Sequence, residues 1–253
     1  IFCGDKMKYF ILLLSIFFLL SCPSSNTIEN YSNIKQINNE LIVCADDETV
    51  DGIDVSYYQG NIDWEAVKSS GVDFAFIRVS DGLNFIDPKF EQNWIGAKQA
   101  GIIRGVYQFF RPARDPIAQA DLLLEKMGEL EEGDLPPVID VEAVDGQTPE
   151  QISTAVRLWI ERIESKIGRK PIIYSGKYFW NDNVKTTEFS DYPFWIAQYG
   201  PVCPDLPIAW NEWLFFQTSS DGIIPGIVGD VDTNLFNGNL QELLTFGNFT
   251  PVC

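Results

Sequence analysis

The stretch "FAFIRVSDGLNFIDPKFEQNWIGAKQAGIIRGVYQFF", residues 74–110, decides the fold class. It opens on one apolar run, "FAFIRVS", and closes on another, "IIRGVYQFF", both rich in the β-branched and aromatic residues that favour strands. Between them, "DPKFEQNWIGAKQAG" spaces its apolar residues as a helix does, with Pro88 expected in the first turn and Gly101 just beyond the end. A strand, a helix and a strand in succession make a right-handed crossover between parallel neighbours.

The unit recurs on both sides. Upstream, "GIDVSYY" reads as a strand and "NIDWEAVKSSG" as a helix closed by Gly71. Downstream come the helix "DPIAQADLLLEKMGEL", the strand "LPPVIDVEA", the long helix "TPEQISTAVRLWIERIESKIG" with Thr148 as its N-cap, and the strand "KPIIYSG". Beyond this the helical signal fades. "YPFWIAQYG", "EWLFFQTSS" and "IVGDVDTNLF" read as strands joined by loops, with "LQELLTF" as a closing helix. Eight strands with too few helices predict a single α/β domain, an incomplete TIM-like barrel over residues 51–253.

Two acids interrupt the apolar strand "VIDVEA". Side chains alternate along a strand, so Asp140 and Glu142 share a face, with Cα atoms about 6.6 Å apart. Ile139, Val141 and Ala143 turn toward the helices. In such barrels the C-terminal strand ends carry the chemistry, so both acids point to the mouth. Asp54 in "GIDVS" and Asp232 in "GDVDTN" lie on the first and last strands, which are neighbours once the barrel closes. Four converging carboxylates cannot all ionise freely, and at least one pKa must rise. A protonated acid beside an ionised one is what glycosidic cleavage requires. An Asp at a strand end also serves as a helix cap or loop acceptor, a role open to Asp54 and Asp232. "DVDTN" matches the opening of a calcium loop, but Leu235 and Gln241 occupy the positions that need Gly and Glu, so no metal site is expected. Aromatic residues gather at the strand ends, among them Tyr57, Tyr58, Tyr107, Phe109, Phe110, Tyr174, Trp195 and Tyr199. Such rings stack on sugars, and equally pack cores.

Composition narrows the function. The chain has no histidine, which removes Ser-His-Asp and Cys-His nucleophiles and nearly all catalytic zinc sites. A formal charge of −18 argues against nucleic acid or an anionic membrane surface as partner. At the N-terminus, "KMKYFILLLSIFFLLSC" (6–22) has two lysines and an apolar stretch from Tyr9 to Leu20, too short to span a bilayer. It reads as a signal peptide over residues 1–21, with translation starting at Met7. "LLSC" also has the form of a lipobox, which would lipidate Cys22; an ordinary cleavage site is the alternative. Residues 22–50 then read as a tether and lead-in. Export permits disulfides, and Cys44, Cys203 and Cys253 suggest one pair and one free thiol, with the pairing open.

The stretches "GIDVSYYQGNIDW", "FAFIRVSDG", "AGIIRGVYQFFRP", "LPPVIDVEA", "PIIYSG", "PFWIAQYG" and "GDVDTNLFNG" together resemble family 25 of the glycoside hydrolases, the Chalaropsis-type lysozymes or N-acetylmuramidases. The resemblance runs from about Asp51 to Gly247. It implies a flattened barrel of eight strands and about five helices. It also implies hydrolysis, with retention, of the β-1,4 bond between N-acetylmuramic acid and N-acetylglucosamine in peptidoglycan. Carried over, Glu142 would be the general acid/base, and Asp140 either the nucleophile or the group orienting the substrate's 2-acetamido. Asp54 and Asp232 would form the cleft floor, and Tyr107, Tyr174, Trp195, Tyr199 and Gln217 would contact sugars. No cofactor is implied. The expected partner is the glycan strand, with the chain a monomer and a membrane involved only through an anchor at Cys22. Gln108 stands where the family often has His, so altered substrate contacts or pH dependence are expected there. A non-catalytic glycan-binding lipoprotein and a hydrolase of another N-acetylglucosamine polymer, such as chitin, remain competing readings.

Overall fold

The structure, a computed structural model, describes residues 34–37 and 40–248. Cys22, Cys253 and the segment read as a signal peptide lie outside them. In chain order the elements are β1 (Ile34–Ile37), β2 (Glu40–Val43), β3 (Thr49–Val55), α1 (Trp64–Ser69), β4 (Phe74–Asp81), β5 (Phe85–Ile86), α2 (Phe90–Gln99), β6 (Ile103–Phe109) and α3 (Pro116–Met127). They continue with β7 (Val138–Asp140), α4 (Pro149–Ile167), β8 (Ile172–Gly176), α5 (Lys177–Phe179), β9 (Phe194–Ala197), β10 (Asp205–Leu206), β11 (Phe215–Gly222), β12 (Val231–Asn237) and α6 (Leu240–Gly247).

Eight strands close a barrel in the order β3-β12-β11-β9-β8-β7-β6-β4, with β4 returning to β3 and β5 hanging from β4 as a hairpin. These are the eight strands expected from the sequence. Seven run parallel, while β12 is antiparallel to both β11 and β3. The fold is thus mixed α/β, an eight-stranded closed barrel with six helices among the described residues.

Alternation along the strands sorts side chains into two layers. Inside lie Val50, Phe74, Phe76, Val138, Ile172, Trp195, Phe215 and Phe236, closed at the base by Leu243 of α6. Gly52 and Gly105 make room for this crowded interior, since a Cβ on either would fall within 2.5 Å of the Phe74 or Phe76 ring. Outside, Ile53, Ile77, Val106, Ile139 and Ile173 pack against helix residues such as Val67, Ala97, Leu123 and Trp159. Thr148 caps α4 in a capping box with Gln151, and Asp63 and Asp115 cap α1 and α3. The helix expected to hold Pro88 in its first turn instead begins at Phe90, because Asp87 turns back to accept the Lys89 N–H at 2.9 Å.

The lead-in is more ordered than its sequence suggested. Residues 34–37 and 40–43, within the segment read as tether and lead-in, pair as antiparallel strands that β10 extends into a three-stranded sheet. Cys44 is bonded to Cys203, which settles the pairing. Val43 packs in the outer layer with Leu206, Trp210, Trp213 and Phe216, and its carbonyl accepts from the Trp213 indole at 2.8 Å. Around β9 and β11, where helices are missing, this sheet supplies the apolar cover. The disulfide joins residues 159 apart, so its loss frees a long loop in the unfolded chain. Replacing Cys44 and Cys203 together with Ser should lower stability by about 2–5 kcal/mol. In thermal denaturation that corresponds to about 5–15 °C; an unchanged melting temperature would mean that this sheet holds without its staple.

Candidate active site

The C-terminal ends of the seven parallel strands and the start of β12 enclose a cleft of about 390 Å³. All nine residues expected at the site line it: Asp54, Asp140, Glu142, Asp232, Tyr107, Tyr174, Trp195, Tyr199 and Gln217. Read across the barrel's register, Asp81, Phe109, Asp140, Tyr174 and Trp195 form one row of paired neighbours, each lining the cleft. A larger cavity of about 1170 Å³ lies at the other end, beside Phe194, Leu214 and Asn237, and shares none of these residues.

Two placements differ from the sequence-based expectation. Strand β7 ends at Asp140, so Glu142 lies beyond the last paired residue instead of within the strand. Backbone pairing persists through Val141, whose N–H donates to the Tyr174 carbonyl at 2.9 Å, and Glu142 therefore still reaches the cleft. It is exposed there, whereas Asp140 is 5% exposed. Asp232, expected to end or follow the last strand, is the second residue of β12, and because β12 runs antiparallel this places it opposite Asp54.

Asp54 is the hub. Its Oδ2 accepts from Gln217 Nε2 at 2.8 Å and Asn234 Nδ2 at 2.9 Å. Gln217 Oε1 in turn accepts the hydroxyls of Tyr174 (2.8 Å) and Tyr199 (2.9 Å), while Asn234 Oδ1 accepts the Trp195 indole N–H at 2.9 Å. Burial, with the charge of Asp232 added, pushes Asp54 up to about 8, so it is protonated at neutral pH. Asp232 is raised by burial to about 6, moderated by a hydrogen bond from Asp54, and carries the charge of the pair. Asp140 is pushed well above the usual carboxylate range, by burial first and then by Glu142 and Asp54. Its Oδ1 has no hydrogen-bond partner among the described residues, an arrangement that a bound polar group would relieve. Glu142 is raised by burial of its carboxyl and by Asp232, against the opposing pull of Arg111. The cleft therefore holds both protonated and ionised carboxyls near neutrality, the condition for paired acid and base work.

The aromatic expectations divide. Tyr199 is exposed, and burial with Asp232 lifts its hydroxyl to about 12, so it remains a donor. Trp195 is 2% exposed, stacks on Phe76 at 4.6 Å and has committed its N–H, so it shapes the floor and offers a sugar little surface. Phe110 is buried in the outer layer. Gln108 is a correction. Tyr107 and Phe109 face inward, so Gln108 faces outward, fully buried, accepting from Trp159 Nε1 at 2.8 Å and donating to Ser80 Oγ at 2.9 Å and the Gln119 carbonyl at 3.0 Å. It bridges strands to helices and makes no contact with the cleft.

Sequence reading missed Arg78, Asp81 and Asn234. Arg78 lines the cleft beside Asp140, pairs with Asp87 at 3.0 Å and lies under Tyr57, Tyr58 and Phe85. Its signal was a cation inside an apolar strand. Asn234 was legible by alternation from Asp232. Among the described residues no group of three or more His, Cys, Asp or Glu is arranged to hold a metal ion.

The family model described as Glycosyl hydrolases family 25 matches residues 53–227. Lysozyme M1 of Streptomyces globisporus is 38% identical over 217 residues, covering 81% of this chain and 74% of that protein. The uncharacterized protein YegX of Escherichia coli (strain K12) is 38% identical over 204 residues, covering 78% and 73%. Among solved structures, the bacterial lysozyme from Streptomyces coelicolor superposes with a TM-score of 0.77 at 36% identity, covering 80% of this chain and 99% of that one.

The hub has a measurable consequence for stability. An Asp in an unfolded chain titrates near 3.8, whereas folded Asp54 titrates near 8. Between these values the folded state binds the extra proton, so stability falls as pH rises from about 4 to about 8. Asp54→Asn keeps the amide contacts and removes that titration. The variant should melt about 3–10 °C above wild type at pH 7.5, with a smaller gap at pH 4; equal gaps at both pH values would show that Asp54 is not the group responsible.

Proposed function

We propose that this chain, which belongs to family 25 of the glycosyl hydrolases and is a glycoside hydrolase, cleaves peptidoglycan as a retaining muramidase. The bond cut is the β-1,4 link between N-acetylmuramic acid and N-acetylglucosamine. The observation that carries the reading is the convergence of Asp54, Asp140, Glu142 and Asp232 in one cleft, with raised pKa values on all four.

Glu142 acts as general acid and then general base. It is the accessible member of the group, and its raised pKa keeps it protonated further toward neutrality than an ordinary glutamate. Its proton passes to the glycosidic oxygen as the C1–O bond breaks. The 2-acetamido carbonyl oxygen bonds to C1 from the opposite face, forming a cyclic oxazolinium ion. A water then adds to C1 and gives its proton to Glu142, the ring opens, and configuration is retained.

Asp140 orients the acetamido group. Its buried, unpaired oxygen suits an N–H partner; that hydrogen bond, and the positive charge the nitrogen gains, oppose the upward push of burial and favour the ionised carboxyl, so the interaction strengthens toward the transition state. Direct attack by Asp140 on C1 is the second reading; its 5% exposure disfavours it. Asp54 and Asp232 share a proton on the floor and set the field felt by Glu142. Tyr107, Tyr174, Tyr199 and Gln217 hold sugar hydroxyls.

The protein acts outside the cytoplasm. The Cys44–Cys203 disulfide fits an oxidising compartment, and relatives of the chain are named lysozyme and autolytic lysozyme. The signal peptide over 1–21, lipidation at Cys22 and a catalytic domain starting near residue 51 complete the proposal, with β1 and β2 extending that domain's sheet structure upstream.

Release of reducing ends from purified peptidoglycan tests the reading. Wild type should generate new N-acetylmuramic acid ends, and Glu142→Gln should lose about 10²–10⁴-fold in kcat. Equal glycan binding by both proteins without release would favour a binding lipoprotein, and faster cleavage of chitin would change the substrate. De-N-acetylated peptidoglycan separates the two roles of Asp140. It should resist cleavage if the acetamido group attacks C1, and turnover at the normal rate would restore Asp140 as nucleophile.

A further inference from the structure

The cleft continues past Asp81. That residue also borders a second cavity of about 560 Å³, walled by Leu83, Phe85, Arg111, Arg114 and Asp145. Its frame is fixed. Arg111 forks onto Asp81 at 2.6 and 2.8 Å, reaches Asp145 at 3.4 Å and lies over the Phe109 ring. The Arg114 N–H closes a turn onto the Arg111 carbonyl at 2.9 Å. Buried Gln119 pins that turn, accepting the Arg111 N–H and donating to its carbonyl, each at 3.0 Å.

The two arginines differ. Arg111 is matched by two carboxylates, whereas the guanidinium of Arg114 is exposed and forms no ion pair or hydrogen bond among the described residues. Its neighbour Asp115 is occupied in capping α3, accepting from Ile117 and Ala118. In a chain with 36 acidic and 18 basic residues, an unmatched cation held on a rigid turn beside the catalytic cleft is positioned for an anion from outside.

We propose that this side cavity receives the peptide arm of the muramyl sugar, with Arg114 pairing to a carboxylate on that arm. The proposal rests on the muramidase reading and names what the enzyme recognises beyond the glycan. The sugars of the strand are uncharged apart from the lactyl ether, and an intact wall extends that ether as a short peptide bearing carboxylates and methyl groups. Leu83 and Phe85, the latter 39% exposed, offer the methyl groups an apolar wall. Arg114 touches no reacting atom; it contributes binding that is the same in ground and transition states, which appears in KM and not in kcat.

The test compares glycan strands carrying their peptides with the same strands stripped by an amidase, which leaves only the lactyl carboxylate. With Arg114→Gln, KM on peptide-bearing strands should rise about three- to tenfold, with kcat and the stripped strands unaffected. Arg114→Lys should recover part of the loss. An equal rise in KM on both substrates would assign the contact to the lactyl group and overturn the peptide assignment. No change on either would remove Arg114 from recognition altogether. Titration calorimetry with soluble peptide-bearing disaccharides reads the same contact without turnover, so a failure of the muramidase reading would leave this proposal separately decided by whether Arg114→Gln weakens binding.

Discussion

Two side-chain amides donating to one oxygen of Asp54 hold the site together. Gln217 comes from β11, Asn234 from β12 and Asp54 from β3, so the bonds cross the seam where the barrel closes. Each amide turns its other end outward, to Tyr174 and Tyr199 or to Trp195. A carboxyl that ionised here would put a second charge beside Asp232 in a buried setting. Burial therefore selects the neutral form, and the neutral form allows the hydrogen bond to Asp232 that leaves the pair with one charge. The protonation pattern, the seam and the placement of the floor residues are one arrangement.

The outer layer solves a separate problem. Four helices, α1 to α4, cover one flank of the barrel, and β9 and β11 would otherwise expose Ile196 and Phe216. The sheet of β1, β2 and β10 covers the side around β9 and β11 with Val43 and Leu206, aided by Trp210 stacked on Phe194 at 3.9 Å. A short sheet fixed by a disulfide does there what a helix does elsewhere.

Much of this was legible because local signals and the global fold agree. Each barrel strand is a short apolar run bounded by Gly, Pro or polar residues, and alternation aimed Asp54 and Asp140 inward. The same alternation, applied to "YQF", turns Gln108 outward between Tyr107 and Phe109, against the substrate contact expected of it. What escaped was non-local. Nothing near Cys44 marks Cys203 as its partner, because the fold alone brings residues 159 apart together. The direction of β12 is equally invisible in "DVDTNLF", since strand residues carry no sign of parallel or antiparallel pairing when both faces are buried. Arg78 was marked as a cation inside an apolar strand, but its place beside Asp140 and the place of Arg114 beside the cleft come only from how the strands and loops assemble.

The reversed strand has a further bearing on how the molecule can be held. Had β12 run parallel to its neighbours, the chain would have left the barrel at the cleft. Instead it descends from Asp232 to Asn237, and α6 closes the base. On the other side β2 begins near Lys177 at the cleft end and descends, so that Ile34, paired with Val43, lies away from the mouth. Either end of the described chain departs on the far side from the acids. A support gripping the described domain at either of these ends would hold it on the side away from the acids, like a tool fixed by its handle.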